Sequence, residues 1–549
     1  MNQSFATKFT SLPTSLAFTD KETFPEMPLN RREFVLMSAG AAALQITGPG
    51  SSAFAMKSPA GADDLPSLTL AEASRRIHAH EVTSVALTQA LLDRISIYNP
   101  KVNAFITVLH EEALSQAAAL DAEAKSGKFR SALHGIPIVL KDNIDTAGIR
   151  TTAASEVFDD RFPDDDAEVV VHLKAAGAVI LGKANMHEFA AGGSSASTYF
   201  GPVRNPWALD HIPAGSSGGS AAAVISDLAY GALGTDTGGS VRMPASYCSI
   251  VGLKPTYGLV SIRGIVPLTY SLDHCGPMTK TVEDAALMLN HMVGYDKHDV
   301  ASIDVAKEDY VESMKQPVSG LRLGIPRAPF YDLLDEEVAK AVEAAIQVLT
   351  KMVKSVKECH LPGTSGFNAL SLTGEREAYH IDLMRKNSMR YSLGVKQSFE
   401  SAEKKMNDIS DEPCSEKIVD YVTSQWKLIL MRKNINDAFT DFDLVVLPTM
   451  RILPRTVNDA LEREEEVKPR EPEVISNCTP FNIFGLPAIS VPCGFSASGL
   501  PIGLMIAGPR LSEGKVLALA AAYEKATQWH TRRPTLTPDM VVPPVKRKV

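Results

Sequence analysis

Cysteine is scarce in this chain of 549 residues. There are six, at Cys248, Cys275, Cys359, Cys414, Cys478 and Cys493, and none forms a CxxC or a Cys/His pair with zinc spacing. Scattered thiols of this kind read as buried small hydrophobes, and no metal is expected. A basic surplus is also missing. Lys plus Arg is 55 against 64 Asp plus Glu, a net charge of −9, which argues against a nucleic-acid partner. No internal repeat is visible. No run is apolar and long enough to span a bilayer, which takes about 20 mostly apolar residues. What is present is ordinary for a globular chain: 45% hydrophobic residues, 22% charged, and 36 Gly with 34 Pro to supply turns. At roughly 100–200 residues per domain, the length allows two or three small domains or one large unit.

The first 55 residues differ from the rest. Arg31-Arg32 precede an uncharged stretch, Phe34 to Met56, broken by Ser38, Gly40, Gln45 and Pro49. The stretch closes on Ala53-Phe54-Ala55, a small-x-small cleavage pattern. Paired arginines, a weak apolar region and a cleavage pattern, in that order, resemble a twin-arginine export signal over residues 1–55. The expected location is therefore periplasmic or secreted, with no membrane insertion once the leader is removed. Met27 is an alternative start to Met1.

Residues 56–549 alternate between helix and strand patterns. Thr69-Leu70-Ala71-Glu72 is a capping box that opens a helix to about Ala79. A second helix is predicted from Ser84 to Tyr98, stopped by Asn99-Pro100. Ile136–Leu140, Ala178–Leu181, Asp443–Leu447, Ala488–Val491 and Gly503–Ile506 read as strands. Helices are predicted over Ala167–Ala176, Ser220–Ile225 and Glu336–Met352, and again around Val516–Tyr523. Late strands that follow one another closely predict an α/β fold with a mixed sheet covered by helices on both faces. The polar segments 295–318, 400–416 and 455–474 read as surface insertions, and Glu462-Arg463-Glu464-Glu465-Glu466 as a solvated face.

Two motifs are decoys. Gly177, Gly182 and Lys183 fit most of a phosphate loop, but Ala184 stands where the metal-binding hydroxyl belongs, and a strand follows instead of a helix. Gly215-Ser216-Ser217-Gly218-Gly219 matches a G-x-S-x-G elbow, yet no downstream histidine has a telling context.

The chemistry is concentrated between Lys141 and Pro255. Lys141 ends an apolar strand, Gly215–Ala223 is a Gly/Ser loop, and Gly234-Thr235-Asp236-Thr237-Gly238-Gly239-Ser240-Val241-Arg242 is a second glycine-rich segment. Together they offer an amine, hydroxyl groups and backbone N–H groups free to face a ligand. The block from Gly215 to Pro255 resembles the diagnostic segment of the amidase signature family. The likeness runs from about Leu68 to Pro534, and the signature core spans about 135–260.

That resemblance implies one α/β/α domain over residues 56–549 and a Ser–cis-Ser–Lys triad, mapping to Ser240, Ser216 and Lys141. A serine hydroxyl needs a base, and ammonium cannot act as one, so Lys141 is expected to be neutral through burial. Asp142 is expected to face away, on the opposite side of the strand. Backbone N–H groups of Thr237, Gly238, Gly239 and Ser240 are the expected oxyanion hole. Asp236 and Arg242 are read as supports of that loop, and Ser217 as a neighbour that helps hold Lys141 and Ser216. No cofactor is expected.

The implied function is hydrolysis of a carboxylic amide through an acyl-enzyme on Ser240, with a small-molecule amide as partner and a homodimer as an allowed state. Two alternatives share the triad. One is the A subunit of a glutamyl-tRNA amidotransferase, a cytoplasmic enzyme that works with a second polypeptide. The other is an ester, carbamate or anilide hydrolase.

Overall fold

The computed structural model describes residues 64–364, 373–407, 414–465 and 476–546. The proposed leader, residues 1–55, lies outside the described residues. So do parts of the polar segments 400–416 and 455–474.

Eleven strands form one sheet. In chain order they are β1 (Phe105–Val108), β2 (Pro137–Lys141), β3 (Val179–Ala184), β4 (Gly231–Thr235), β5 (Val251–Lys254), β6 (Cys275–Thr279), β7 (Arg322–Ile325), β8 (Ser355–Glu358), β9 (Leu444–Pro448), β10 (Ala488–Phe495) and β11 (Pro501–Ala507). The spatial order is β1-β3-β2-β4-β6-β5-β10-β11-β9-β7-β8. β2 pairs parallel with β3 and β4, and β7 with β8 and β9. The other pairs are antiparallel, so the sheet is mixed as expected. Its central strands are buried on both faces, which is why β2, β9 and β10 read as continuous apolar runs.

Helices cover both faces. β11 shows this directly, because successive residues of a strand face opposite ways. A Cβ at Gly503 would lie 2.5 Å from Ser246 Oγ, in the helix Arg242–Cys248. A Cβ at Gly494, paired with the adjacent Ile502, would lie 3.1 Å from Ala341 in the helix Glu336–Thr350. One helix therefore packs on each side of the same two strands. Small residues on the strands let them approach.

The structure departs from the sequence reading at several places. The second helix does not stop at Asn99-Pro100 but runs Ser84–Val102 with Pro100 inside it. Tertiary bonds hold this last turn. Asn99 bonds both backbone groups of Phe105, and Asn103, left-handed at φ 53°, donates to the carbonyls of Phe200, Gly201 and Pro202. Strands β4 and β6 were not legible, because glycine and proline weaken strand patterns. Their glycines answer to close approach: a Cβ at Gly276 would meet Leu253 O at 2.0 Å.

The segment 295–318 is more than a surface insertion. Asp296 and Asp299 are buried and accept from Ser261, Arg263, the Ile262 N–H and Tyr270. Nor is the described part of the acidic run, from Glu462, simply solvated. Glu464 takes hydrogen bonds from Ser194 and Ser197 at 2.5 Å, because the helix Val457–Glu465 lies against that loop.

Candidate active site

Parallel strands expose their carboxyl ends together, and the site forms there. Lys141 is the last residue of β2, and Thr235 is the last of the neighbouring β4. Ser216 and Ser217 lie just before the helix Gly218–Ile225. Lys141 Nζ donates to Ser216 Oγ and to Thr235 Oγ1, both at 2.7 Å. The amine is fully buried and these two hydroxyls are its only polar partners among the described residues. Burial lowers its pKa from 10.5 to about 7, against the opposing pull of Asp236, Asp273 and Cys275. Near neutral pH much of this lysine is a free base.

The Gly215–Ser216 peptide is cis. The Ser216 carbonyl accepts from the His187 N–H at 3.0 Å and from Ser195 Oγ at 3.2 Å. Ser195 Oγ in turn accepts from the Gly218 N–H. Neither His187 nor Ser195 carries a motif that would have marked it.

Ser217 has a different task from the one expected. Its hydroxyl bonds the backbone of Thr235, donating to the carbonyl at 3.2 Å and accepting from the N–H at 3.3 Å. Its own N–H donates to the Ser240 carbonyl at 3.3 Å. Ser217 thus joins the Ser216 loop, β4 and the Ser240 loop. The side chain that holds Lys141 beside Ser216 is Thr235. It lies in the glycine-rich segment read from the sequence, next to Asp236, but its spacing gave no sign of the contact with Lys141.

Ser240 sits between β4 and the helix Arg242–Cys248. Asp236 organises this loop from its concave side. Its carboxylate accepts from the N–H groups of Gly239 (2.8 Å) and Val241 (3.1 Å), and from Arg242 Nε (3.0 Å) and Nη2 (2.9 Å). Burial alone would raise the pKa of Asp236. The Arg242 charge and hydrogen bonds, with Lys254 and Asn482, hold it instead well below the usual carboxylate range. Arg242 and Asp236 are therefore a charged, fully buried pair hydrogen-bonded to the loop. Asn482, far away in sequence, completes it by donating to Asp236 and accepting from Arg242.

Of the four N–H groups expected to form an oxyanion hole, not all are free. The Gly239 N–H is taken by Asp236, whereas those of Thr237, Gly238 and Ser240 donate to no group among the described residues. Gly239 is needed for another reason. Its φ is +130°, and a Cβ there would lie 2.6 Å from Cys478 Cβ.

Asp142 faces the other side of β2. Its carboxylate accepts from the Thr152 N–H and hydroxyl and lies 3.9 Å from Lys183. Among the described residues no group of three His, Cys, Asp or Glu could hold a metal ion, and no helix is long and apolar enough to cross a membrane. Cys248, Cys275, Cys478 and Cys493 are buried free thiols, as read.

Comparison with known proteins identifies the family. The Amidase family profile matches residues 86–517. The A subunit of the glutamyl-tRNA(Gln) amidotransferase from Geobacter sp. is 38% identical over 486 residues, which cover 85% of this chain and 99% of the relative. The native peptide amidase of Stenotrophomonas maltophilia has a similar structure, with TM-score 0.72 and 32% identity over 85% of this chain and 98% of that one. The A subunit of the Thermotoga maritima amidotransferase has TM-score 0.67 and 32% identity over 88% and 99%. With a buried lysine hydrogen-bonded to Ser216 and a glycine-rich loop carrying Ser240, the chain belongs to the Amidase family, the amidase-signature enzymes that act on carbon–nitrogen bonds.

Proposed function

We propose that the protein cleaves a carboxylic amide through an acyl-enzyme on Ser240. The observation that carries this reading is the solitary Lys141 amine, buried among hydroxyls and hydrogen-bonded to Ser216. Neutral Lys141 takes the Ser216 proton, Ser216 takes that of Ser240, and Ser240 Oγ attacks the carbonyl carbon. The N–H groups of Thr237, Gly238 and Ser240 receive the charge that develops on the carbonyl oxygen. The proton returns through Ser216 to the departing nitrogen, and a second nucleophile then releases the acyl group.

The fate of the released nitrogen separates two readings. Relatives that are amidotransferase A subunits are 38–40% identical over nearly their whole length, which favours delivery of ammonia to an acceptor in concert with a second polypeptide. The peptide-amidase neighbour and the export-like residues 1–55 favour a free-standing periplasmic hydrolase of small amides. On identity the amidotransferase component is the better supported of the two.

The purified chain should be assayed alone against glutamine and other primary amides, anilides, esters and carbamates, with Ser240→Ala as the blank. Turnover of simple amides without any partner supports the hydrolase; turnover that appears only with co-purified polypeptides supports the amidotransferase. Ser240→Ala with wild-type rates overturns both. Cell fractionation of Arg31→Lys/Arg32→Lys decides location: periplasmic activity that disappears in the variant supports twin-arginine export, and wholly cytoplasmic wild-type protein rejects it.

A further inference from the structure

The loop that would bind the oxyanion is gripped at two points. Asp236 holds its second half through the Gly239 and Val241 N–H groups. The first half, Thr237-Gly238, is left out of that grip. Thr237 Oγ1 donates instead to Asp273 Oδ1 at 2.5 Å, and Thr479 Oγ1 donates to the Gly238 carbonyl at 3.2 Å. The Thr237 N–H belongs to the Asp236–Thr237 peptide, whose carbonyl accepts from the His274 N–H at 3.1 Å and from Asn482 at 2.9 Å; the Thr237 hydroxyl adds a further hold on the side where two glycines follow.

Asp273 is built for this task. It is buried, and its other partners are the N–H groups of Leu268 (2.9 Å) and Thr269 (3.2 Å). Its N–H partners favour an accepting carboxylate, and burial pushes its pKa up to about 6, so above that pH the Thr237 hydroxyl donates to it. The turn that carries Asp273 is anchored in its own right. The Ser271 N–H donates to Glu375, on the helix Thr373–Asn387, and the Ser271 carbonyl accepts from Arg432, on the helix Cys414–Asn434.

We propose that Asp273 is a positioning residue of the oxyanion hole, fixing the Thr237 N–H toward the carbonyl oxygen through the Thr237 hydroxyl. A donor preset in this way strengthens only as charge develops, so its loss lowers kcat more than it raises KM. The proposal rests on the acyl-enzyme reading of Ser240.

The test compares Thr237→Val, Thr237→Ser, Asp273→Asn and the double variant Thr237→Val/Asp273→Asn. The substrate is any amide found to be turned over, and the tetrahedral mimic is an alkyl boronic acid. We expect Thr237→Val and Asp273→Asn each to lower kcat and boronate affinity by roughly ten- to hundredfold with KM within about twofold. The double variant should be no worse than the poorer single one, and Thr237→Ser, which keeps the hydroxyl, should recover most of the loss seen in Thr237→Val. Wild-type kcat and boronate affinity in Thr237→Val, additive losses in the double variant, or equal losses in kcat and KM would overturn the proposal. If Asp273→Asn does not fold, the Val/Ser pair at Thr237 decides alone. Full activity in Ser240→Ala would instead defeat the acyl-enzyme reading, a separate result.

Discussion

Two buried lysines, one residue out of step on adjacent parallel strands, have opposite surroundings. Leu140 pairs with Lys183 and Lys141 pairs with Ala184, so the two amines leave the sheet on opposite faces. Lys141 meets two hydroxyls and no carboxylate in contact. Lys183 meets Asp142 at 3.9 Å, the Ile144 carbonyl at 2.5 Å and Thr151 at 2.7 Å. Burial lowers the pKa of both amines. Asp142 opposes it at Lys183, which stays at about 8, whereas Lys141 falls to about 7. Burial alone therefore does not make a base. What separates the two is placement: Lys141 is hydrogen-bonded to Ser216, whereas Lys183 ties the Ile144 carbonyl and Thr151 to the sheet.

The strongest way to break this comparison is at Lys141. Lys141→Ala and Lys141→Arg should each lower kcat/KM by about 10⁴-fold, the upper range for a general base, because guanidinium does not deprotonate near neutral pH. In the wild-type enzyme kcat/KM should fall as pH drops through about 7, since protonated Lys141 cannot accept the Ser216 proton. A pH–rate profile checks both points. An active Lys141→Arg enzyme would make the lysine a fixed charge and erase the contrast with Lys183.

Next is Lys183→Met. It leaves the Asp142 carboxylate buried without its cation, so unfolding in urea should show a loss of about 3–5 kcal/mol, with activity per folded molecule retained. Asp142→Asn added to Lys183→Met should recover part of that loss. Activity lost from correctly folded Lys183→Met would place both lysines in the chemistry.

The smallest effect is expected from Thr235→Val, which removes one of the two hydroxyls that accept from Lys141. Loss of one hydrogen bond to a charged group, about 1.5–3 kcal/mol, should reduce kcat/KM by about tenfold or more. The acid limb should also move to lower pH, because the ammonium loses an acceptor that stabilises it. An unmoved limb would mean that Ser216 alone sets the lysine.

These contrasts also explain what was legible. Lys183 drew attention as part of a false phosphate loop, and its role comes from Asp142, the Ile144 carbonyl and Thr151, which follow the neighbouring strand. Asp236 and Arg242 were legible because they flank the glycine loop within seven residues. Asn482, Asp273 and Ser195 were not, since each reaches the site from another segment and none sits in a distinctive pattern; Thr235 lay inside the glycine-rich segment, but nothing in the spacing showed that its hydroxyl turns to Lys141. Ser217 was assigned to the right neighbourhood but the wrong atoms. A hydroxyl can turn to any of several partners, and only coordinates choose among them.

By itself, the sequence determined the mixed α/β architecture and the family, and it named the lysine and the two serines as candidates. Apolar runs and glycine spacing are local consequences of strands buried on both faces and of backbone that must approach closely. Tertiary structure alone decided which hydroxyl holds Lys141, which N–H groups remain free for an oxyanion, and which buried lysine stays without a carboxylate. Each of these depends on groups brought together across strands and loops, and on the loss of water around them, neither of which is encoded in the spacing of residues along the chain.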